Sequence, residues 1–228
     1  MPNILELDQQ LTLSLNGSDS LFMDNLMSTV TSTASWTLLL MVLIYIFFKN
    51  NSIKEAFLII GIIGLMIFVA DRLCSGLAKP FVARWRPTQN PEIMYLVDTV
   101  NGYRGGKYGF FSGHASNTFC VAMFLSWLFR APRMTVACFF WCTTTTFTRI
   151  YLGVHYMGDV VVGAIVGCIL GFLFYLLYNH LRANLGTNRL ISEQFTPAGY
   201  LQSDVDLFLT VMAGNYILLL IVALIRGL

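Results

Sequence analysis

Six predominantly apolar runs, at about residues 29 to 48, 56 to 78, 113 to 129, 134 to 151, 157 to 178 and 205 to 225, constrain this chain more than any other feature. Roughly 20 helical residues cross a bilayer core, so each run is long enough to span with some tilt. The expected fold class is all-α: a polytopic membrane protein whose six transmembrane helices form one bundle, with no domain boundary between residues 1 and 228. Composition agrees. Of the 228 residues 56% are hydrophobic and 11% charged, which sets aside a disordered or collagen-like chain. The formal net charge of +2 sets aside a strongly basic nucleic-acid binder, so no nucleic-acid partner is expected. Five cysteines, Cys74, Cys120, Cys138, Cys142 and Cys168, are scattered through apolar runs and read as small helix-packing residues, not as a disulfide framework.

Residues 1 to 28 carry Glu6, Asp8, Asp19 and Asp24 but no Lys or Arg, so no cleaved signal peptide is expected. Ile4, Leu5, Leu11 and Leu15 recur at helical spacing before the turn signal Asn16-Gly17-Ser18, which predicts an in-plane interfacial helix over residues 4 to 15. Counting crossings assigns each connection to a side. The N-terminus, the long polar stretch 79 to 112, the turn 149 to 156 and the C-terminus share face A. Residues 49 to 55, 130 to 133 and 179 to 204 share face B, with Lys49, Lys54, Arg130, Arg133, Arg182 and Arg189 and few acids. The positive-inside tendency makes face B cytoplasmic.

Three clusters of charged and polar residues stand against this apolar background, and the crossing count places all three on face A. The chain reads Lys79-Pro80-Phe81-Val82-Ala83-Arg84-Trp85-Arg86-Pro87, then Phe111-Ser112-Gly113-His114, then Thr148-Arg149 through His155 to Asp159. Charges at membrane depth cost about 2.5 to 3.5 kcal/mol each, so those that persist usually have a partner or a ligand. Lys79, Arg86 and Arg149 together favour an anion, the guanidinium forks matching phosphate oxygens. Ser112-Gly113-His114 opens a helix, where free N–H groups and the positive dipole end suit an oxyanion. His155 and Asp159 are four apart. If that stretch is helical they share a face, the carboxylate holding one ring nitrogen and leaving the other free as a nucleophile. His114 then supplies the complementary acid. The glycine row Gly163, Gly167 and Gly171 predicts close helix approach within the chain, presenting Asp159 to the bundle interior. Asp71 and Arg72 read as structural, and Arg84, Arg104 and Lys107 as loop charges that are either solvated or near a headgroup.

The spacing Lys, six residues, Arg-Pro; then Ser-Gly-His; then Arg, five residues, His, three residues, Asp resembles the three-part signature of the type 2 phosphatidic acid phosphatase superfamily. The motifs cover residues 79 to 159. The resemblance implies a hydrolase in which His155 attacks phosphorus to form a phosphohistidine, Asp159 orients it, and His114 protonates the leaving group. It implies that Lys79, Arg86, Ser112, Gly113 and Arg149 hold the phosphate, with no metal and no cofactor. Phe111 stands where the family usually has proline, and Thr148 where it usually has serine. A phosphorylated lipid is the implied substrate and membrane lipids the surroundings. Undecaprenyl diphosphate, lipid A phosphate, phosphatidylglycerophosphate and phosphatidic acid are all allowed, the cell-envelope lipids first. The compact chain resembles members of the bacterial inner membrane, with the site facing the periplasm or outside.

Three rival functions are weighed against this expectation. A metal-dependent hydrolase could use His114, His155 and Asp159 as ligands, but three nearby cations would repel a divalent ion. A vanadate-binding oxidase of the same superfamily suits a six-span chain less well. A lipid-phosphate binder or transporter needs the cations, whereas two histidines and an aspartate add proton and nucleophile chemistry that binding does not require.

Overall fold

The computed structural model describes residues 3–183, 185 and 192–227. Arg189, expected among the face B cations, lies outside the described residues. Among them the architecture is all-helical, with two isolated bridges, Trp85 to Tyr108 and Phe195 to Leu201, as the extended pairing. Four stretches are long and apolar enough to cross a membrane: Thr33–Asn50, Ile53–Val82, Met157–Ala183 and Gln202–Arg226. They contain helices α3 (Thr37–Asn50), α4 (Ile53–Asp71), α8 (Met157–Ala183) and α9 (Gln202–Arg226).

The other two expected spans form helices but fall outside that set. Helix α6 (Gly113–Phe129) is 17 residues long, and α7 (Pro132–Tyr151) carries six threonines as well as Arg133 and Arg149. Helix α6 is shielded by protein, whereas α7 leaves Val136 and Phe140 exposed. Ala115, Ser116, Thr118, Cys120, Ala122, Phe124, Leu125 and Leu128 bury α6 around its circumference, so its polar groups are covered by neighbouring helices. The threonines of α7 bond back to their own helix, Thr145 Oγ1 to Trp141 O at 2.8 Å and Thr148 Oγ1 to Thr145 O at 2.6 Å.

The glycine row of α8 explains how α6 comes so close. A Cβ on Gly163, Gly167 or Gly171 would lie 2.5, 2.5 or 2.4 Å from the carbonyl oxygens of Ser112, Ser116 and Cys120. Every fourth residue of α8 from Gly163 to Gly171 is therefore bare where the α6 backbone passes, and the row serves packing within the chain as expected. The contact also aligns the first turns of the two helices, which carry His114 and Asp159.

The N-terminal region holds more structure than the sequence suggests. Helix α1 (Ile4–Leu15) forms where the periodicity predicts it, exposing Ile4, Leu7 and Leu11. Helix α2 (Leu21–Val30), capped by the Ser20 hydroxyl accepting from Met23 N–H at 3.4 Å, was not expected. Residues 29 and 30, read as the start of the first span, instead end α2, and the chain turns through Thr33–Trp36 before α3 begins. Asn16 secures this region. Its side-chain amide donates to Tyr151 O at 2.7 Å and Asp98 O at 3.0 Å, tying the N-terminal segment to the end of α7 and the long loop. Asp71 and Arg72 are not buried in the bundle. Their side chains, 45% and 68% exposed, pair with each other at 3.6 Å where α4 passes into a π-helical stretch, Arg72–Ala78.

Candidate active site

The chain leaves the π-helical stretch through the short helix α5 (Lys79–Val82) and stops at Ala83, whose left-handed backbone (φ +49°) turns it away from the membrane helices. An extended segment follows. Residues 84 and 86 face inward and Trp85 stays partly exposed, because side chains alternate along extended backbone. Pairing with residues 107 to 109 holds the segment, Arg86 N–H donating to Lys107 O at 3.2 Å and Gly109 N–H to Arg84 O at 2.9 Å.

The second motif meets the third through backbone. Ser112 caps α6, its buried hydroxyl accepting from Ala115 N–H at 3.4 Å, while its own N–H donates to Asp159 O at 2.9 Å. Gly113 passes close to the π-helical stretch, where a Cβ would stand 3.1 Å from Cys74 Sγ. His114 is half-buried one residue into α6. Lys79 is half-buried at the start of α5, beside the Cys74 thiol.

His155 and Asp159 are brought together by a turn, where the sequence suggested one helical face. His155 precedes α8, and its N–H, like that of Val154, donates to the Arg149 carbonyl, at 3.2 and 3.1 Å. Gly153 (φ +65°) makes the reversal, and a side chain there would run into Val97. Asp159 sits in the first turn of α8 and reaches back, Oδ2 accepting from Tyr156 N–H at 3.2 Å and standing 3.5 Å from His155 Nδ1. That last separation exceeds a good hydrogen bond. Both side chains are almost wholly out of solvent, at 3% and 0% exposure. Burial pushes the His155 imidazole down to about 4, and Arg86 and Arg149 add to this against the upward pull of Asp159. A neutral ring is the form in which histidine is a nucleophile.

Two guanidiniums crowd the same space without a carboxylate of their own among the described residues. Arg86 donates to the carbonyls of Tyr108 (3.2 Å) and Val154 (3.3 Å), and burial followed by the charge of Arg149 lowers it below the usual arginine range. Arg149, in the last turn of α7, donates to Thr31 Oγ1 at 2.8 Å and more weakly to Tyr103 Oη at 3.4 Å, while its buried Nε has no partner among the described residues. That hydrogen bond draws the Tyr103 phenol below its ordinary value. Like charges confined together, with donors held only by neutral oxygens, make a place that an anion would relieve.

Four further residues belong to this neighbourhood. Thr31 and Tyr103 hold Arg149. Arg84 lies behind the dyad, Nη1 at 2.8 Å from Asp159 Oδ1 and Nη2 at 2.7 Å from Asp8 Oδ2. The one available signal for Arg84 was its place two residues before Arg86, which puts both on one side of an extended segment. Nothing local marks Asp8, whose partner lies 76 positions away. Among the described residues, no three His, Cys, Asp or Glu side chains gather as a metal site would require.

The family model of the PAP2 superfamily matches residues 55–183, a stretch that contains all three motifs. This chain belongs to the PAP2 superfamily. It is 40% identical over 213 residues to a lipid A 4'-phosphatase of Bacteroides thetaiotaomicron, covering 92% of this chain and 93% of that protein. A lipid A 4'-phosphatase of Porphyromonas gingivalis is 36% identical over 183 residues, 80% of this chain and 78% of its own length. The crystal structure of a transmembrane PAP2 type phosphatidylglycerolphosphate phosphatase from Bacillus subtilis superposes with a TM-score of 0.59 at 18% identity, over 82% of this chain and 89% of that one. That likeness speaks for the shared helical fold.

Proposed function

We propose that this integral membrane PAP2 protein is a lipid phosphatase that hydrolyses the phosphate ester of a lipid A-type glycolipid through a phosphohistidine on His155. The observation that carries the reading is the buried His155 imidazole, backed by Asp159 and set beneath Arg86 and Arg149, whose donors meet only neutral oxygens. Two relatives named as lipid A 4'-phosphatases at 36 and 40% identity favour that substrate over undecaprenyl diphosphate.

The chemistry takes two steps. With Nδ1 turned to Asp159, Nε2 of His155 attacks phosphorus, and the bond to the lipid oxygen breaks as that oxygen takes a proton from His114. Lys79, Arg86, Arg149, the Ser112 hydroxyl and the Gly113 N–H at the start of α6 match the charge of the transition state, the main source of rate in phosphate ester hydrolysis. A water then yields its proton to His114 and attacks the phosphohistidine, releasing phosphate and restoring the imidazole.

The same reading takes α6 and α7 as crossings alongside the four more apolar stretches, so that six helices span, α1 lies in the interface and the site opens to the periplasmic side of the bacterial inner membrane. The lipid tail remains in the bilayer while its phosphate reaches His155. The test is phosphate release from lipid A bearing a 4'-phosphate, in detergent and without added metal, by the wild type and by His155→Ala. The wild type turns over and the variant does not, while both elute as the same folded species. Full activity of the variant, or a strict requirement for a divalent ion, overturns the assignment.

A further inference from the structure

The dyad is supported from a direction that the three motifs do not reach. Arg84 spans two carboxylates, Asp159 in the first turn of α8 and Asp8 on α1. Its guanidinium lies over the Tyr156 ring at 4.1 Å, and the Asp8, Arg84 and Asp159 side chains are 15%, 20% and 0% exposed. Burial alone would lower the Arg84 charge, but the two carboxylates outweigh it and raise its proton affinity.

Helix α1 does more than supply one acid. Asp8 Oδ1 accepts from Gly158 N–H at 2.8 Å, and Thr12 Oγ1 accepts from Met157 N–H at 3.0 Å. These are first-turn donors of α8 that the helix itself leaves unpaired, so α1 caps α8 across 145 to 150 residues of sequence. Gly158 permits the approach, since a Cβ there would come within 2.8 Å of Asp8 Oδ2. On the other side, a Cβ on Gly109 would lie 2.8 Å from Asp159 Oδ2. Asp159 is thereby confined between Gly109, Tyr156 N–H and Arg84, and the direction of Oδ2 towards His155 is set by what holds Oδ1.

We infer that Arg84 and Asp8 are positioning residues of the reaction: Arg84 grips Oδ1 of Asp159 so that Oδ2 meets His155, and Asp8, seated on the first turn of α8, fixes Arg84. Neither touches the phosphate; Arg84 acts through Asp159 and Asp8 through Arg84. A guanidinium is suited to this because its two Nη groups reach both acids at once, which a lysine ammonium does only in part. With one oxygen committed to Arg84, Asp159 orients the imidazole and stabilises the positive ring that forms on attack.

This inference rests on the phosphohistidine reading above. The experiment compares wild type, Arg84→Gln, Arg84→Lys, Asp8→Asn and the double variant Asp8→Asn/Arg84→Gln for phosphate release from 4'-phosphorylated lipid A, each after its folded fraction is isolated by size-exclusion chromatography. Misplacing a catalytic group by about an ångström costs about a hundredfold in rate, so kcat of Arg84→Gln falls about ten- to a hundredfold while KM stays within about twofold. Arg84→Lys recovers part of the loss. Asp8→Asn falls less than Arg84→Gln, and adding it to Arg84→Gln changes little, because the two act in series. Unchanged kcat in Arg84→Gln, a rise confined to KM, or losses that simply add in the double variant each overturn the inference while leaving the function intact. A wild type that releases no phosphate overturns the function and the inference together.

Discussion

The two ends of this bundle treat charge differently. On face B, Lys49 meets Asp204 at 2.7 Å, Arg133 meets Asp206 at 2.6 Å, and Arg182 joins Tyr178 on the buried carboxylate of Glu55, while Arg130 donates to the Tyr175 hydroxyl. On face A, Arg84 is matched twice over, whereas Arg86 and Arg149 rest on carbonyl and hydroxyl oxygens. A buried pair that neutralises itself holds a structure together, and breaking it by removing one partner is costly. Buried cations kept beside each other without acids keep their attraction for something that arrives from outside. On the proposed function, the difference separates supporting charge from charge that awaits a phosphate.

Breaking the comparison begins on face A. His155→Ala should lower kcat for lipid phosphate release by at least about a thousandfold, since loss of a nucleophile leaves only the contribution of the surrounding charges. Arg149→Ala should lower kcat/KM by about a hundredfold, the size typical of one donor to a developing oxyanion. Glu55→Gln sharpens the contrast from the other end. It removes the charge of the carboxylate that Arg182 and Tyr178 share and should cost about 3 kcal/mol in stability, read as a lower melting temperature in detergent, with kcat/KM unchanged below that temperature. Equal activity losses in Arg149→Ala and Glu55→Gln would erase the distinction. Gly167→Ala should cost about 1 to 3 kcal/mol by forcing α6 away from α8, and thermal unfolding checks it.

The smallest effect concerns pH. His155, held at about 4 in the folded protein against about 6.5 unfolded, takes up its proton first in the unfolded chain. Its contribution to stability is therefore complete above about pH 6.5 and is lost as pH falls towards 4, by at most about 3 kcal/mol. Melting temperatures taken from pH 7 down to 4 should fall, and His155→Gln should flatten that slope. An equally steep fall in the variant would place the sensitive group elsewhere.

Several of these features were legible in the residues. The histidine pair, Asp159 and the cations Lys79, Arg86 and Arg149 announced themselves because charge at membrane depth is costly and their spacing is distinctive. The glycine row of α8 was legible because bare positions at helical spacing have few other uses. Helix α2 was not, since its apolar residues merge into the run that follows and only Ser20 marks its start. Nor was the membrane-facing character of each helix, because α6 hides its polar groups against neighbours and the buried threonines of α7 bond back to their own helix, neither of which hydropathy sees. The approach of His155 to Asp159 was foreseen, but a turn at Gly153 and a back-reaching carboxylate produce it, not helical periodicity.

Local chemistry, repeated apolar length and motif spacing were thus sufficient to establish an all-helical membrane chain and its family resemblance and to nominate the groups proposed to meet a phosphate, because each of those depends on residues close together or on composition alone. The seating of α1 on α8, the grip of Arg84 on Asp159 and the neutral oxygens that hold Arg149 were decided only in three dimensions. Each is a contact between residues 46 to 150 positions apart, and whether such a charge finds an acid, a carbonyl or nothing depends on how the helices pack around it.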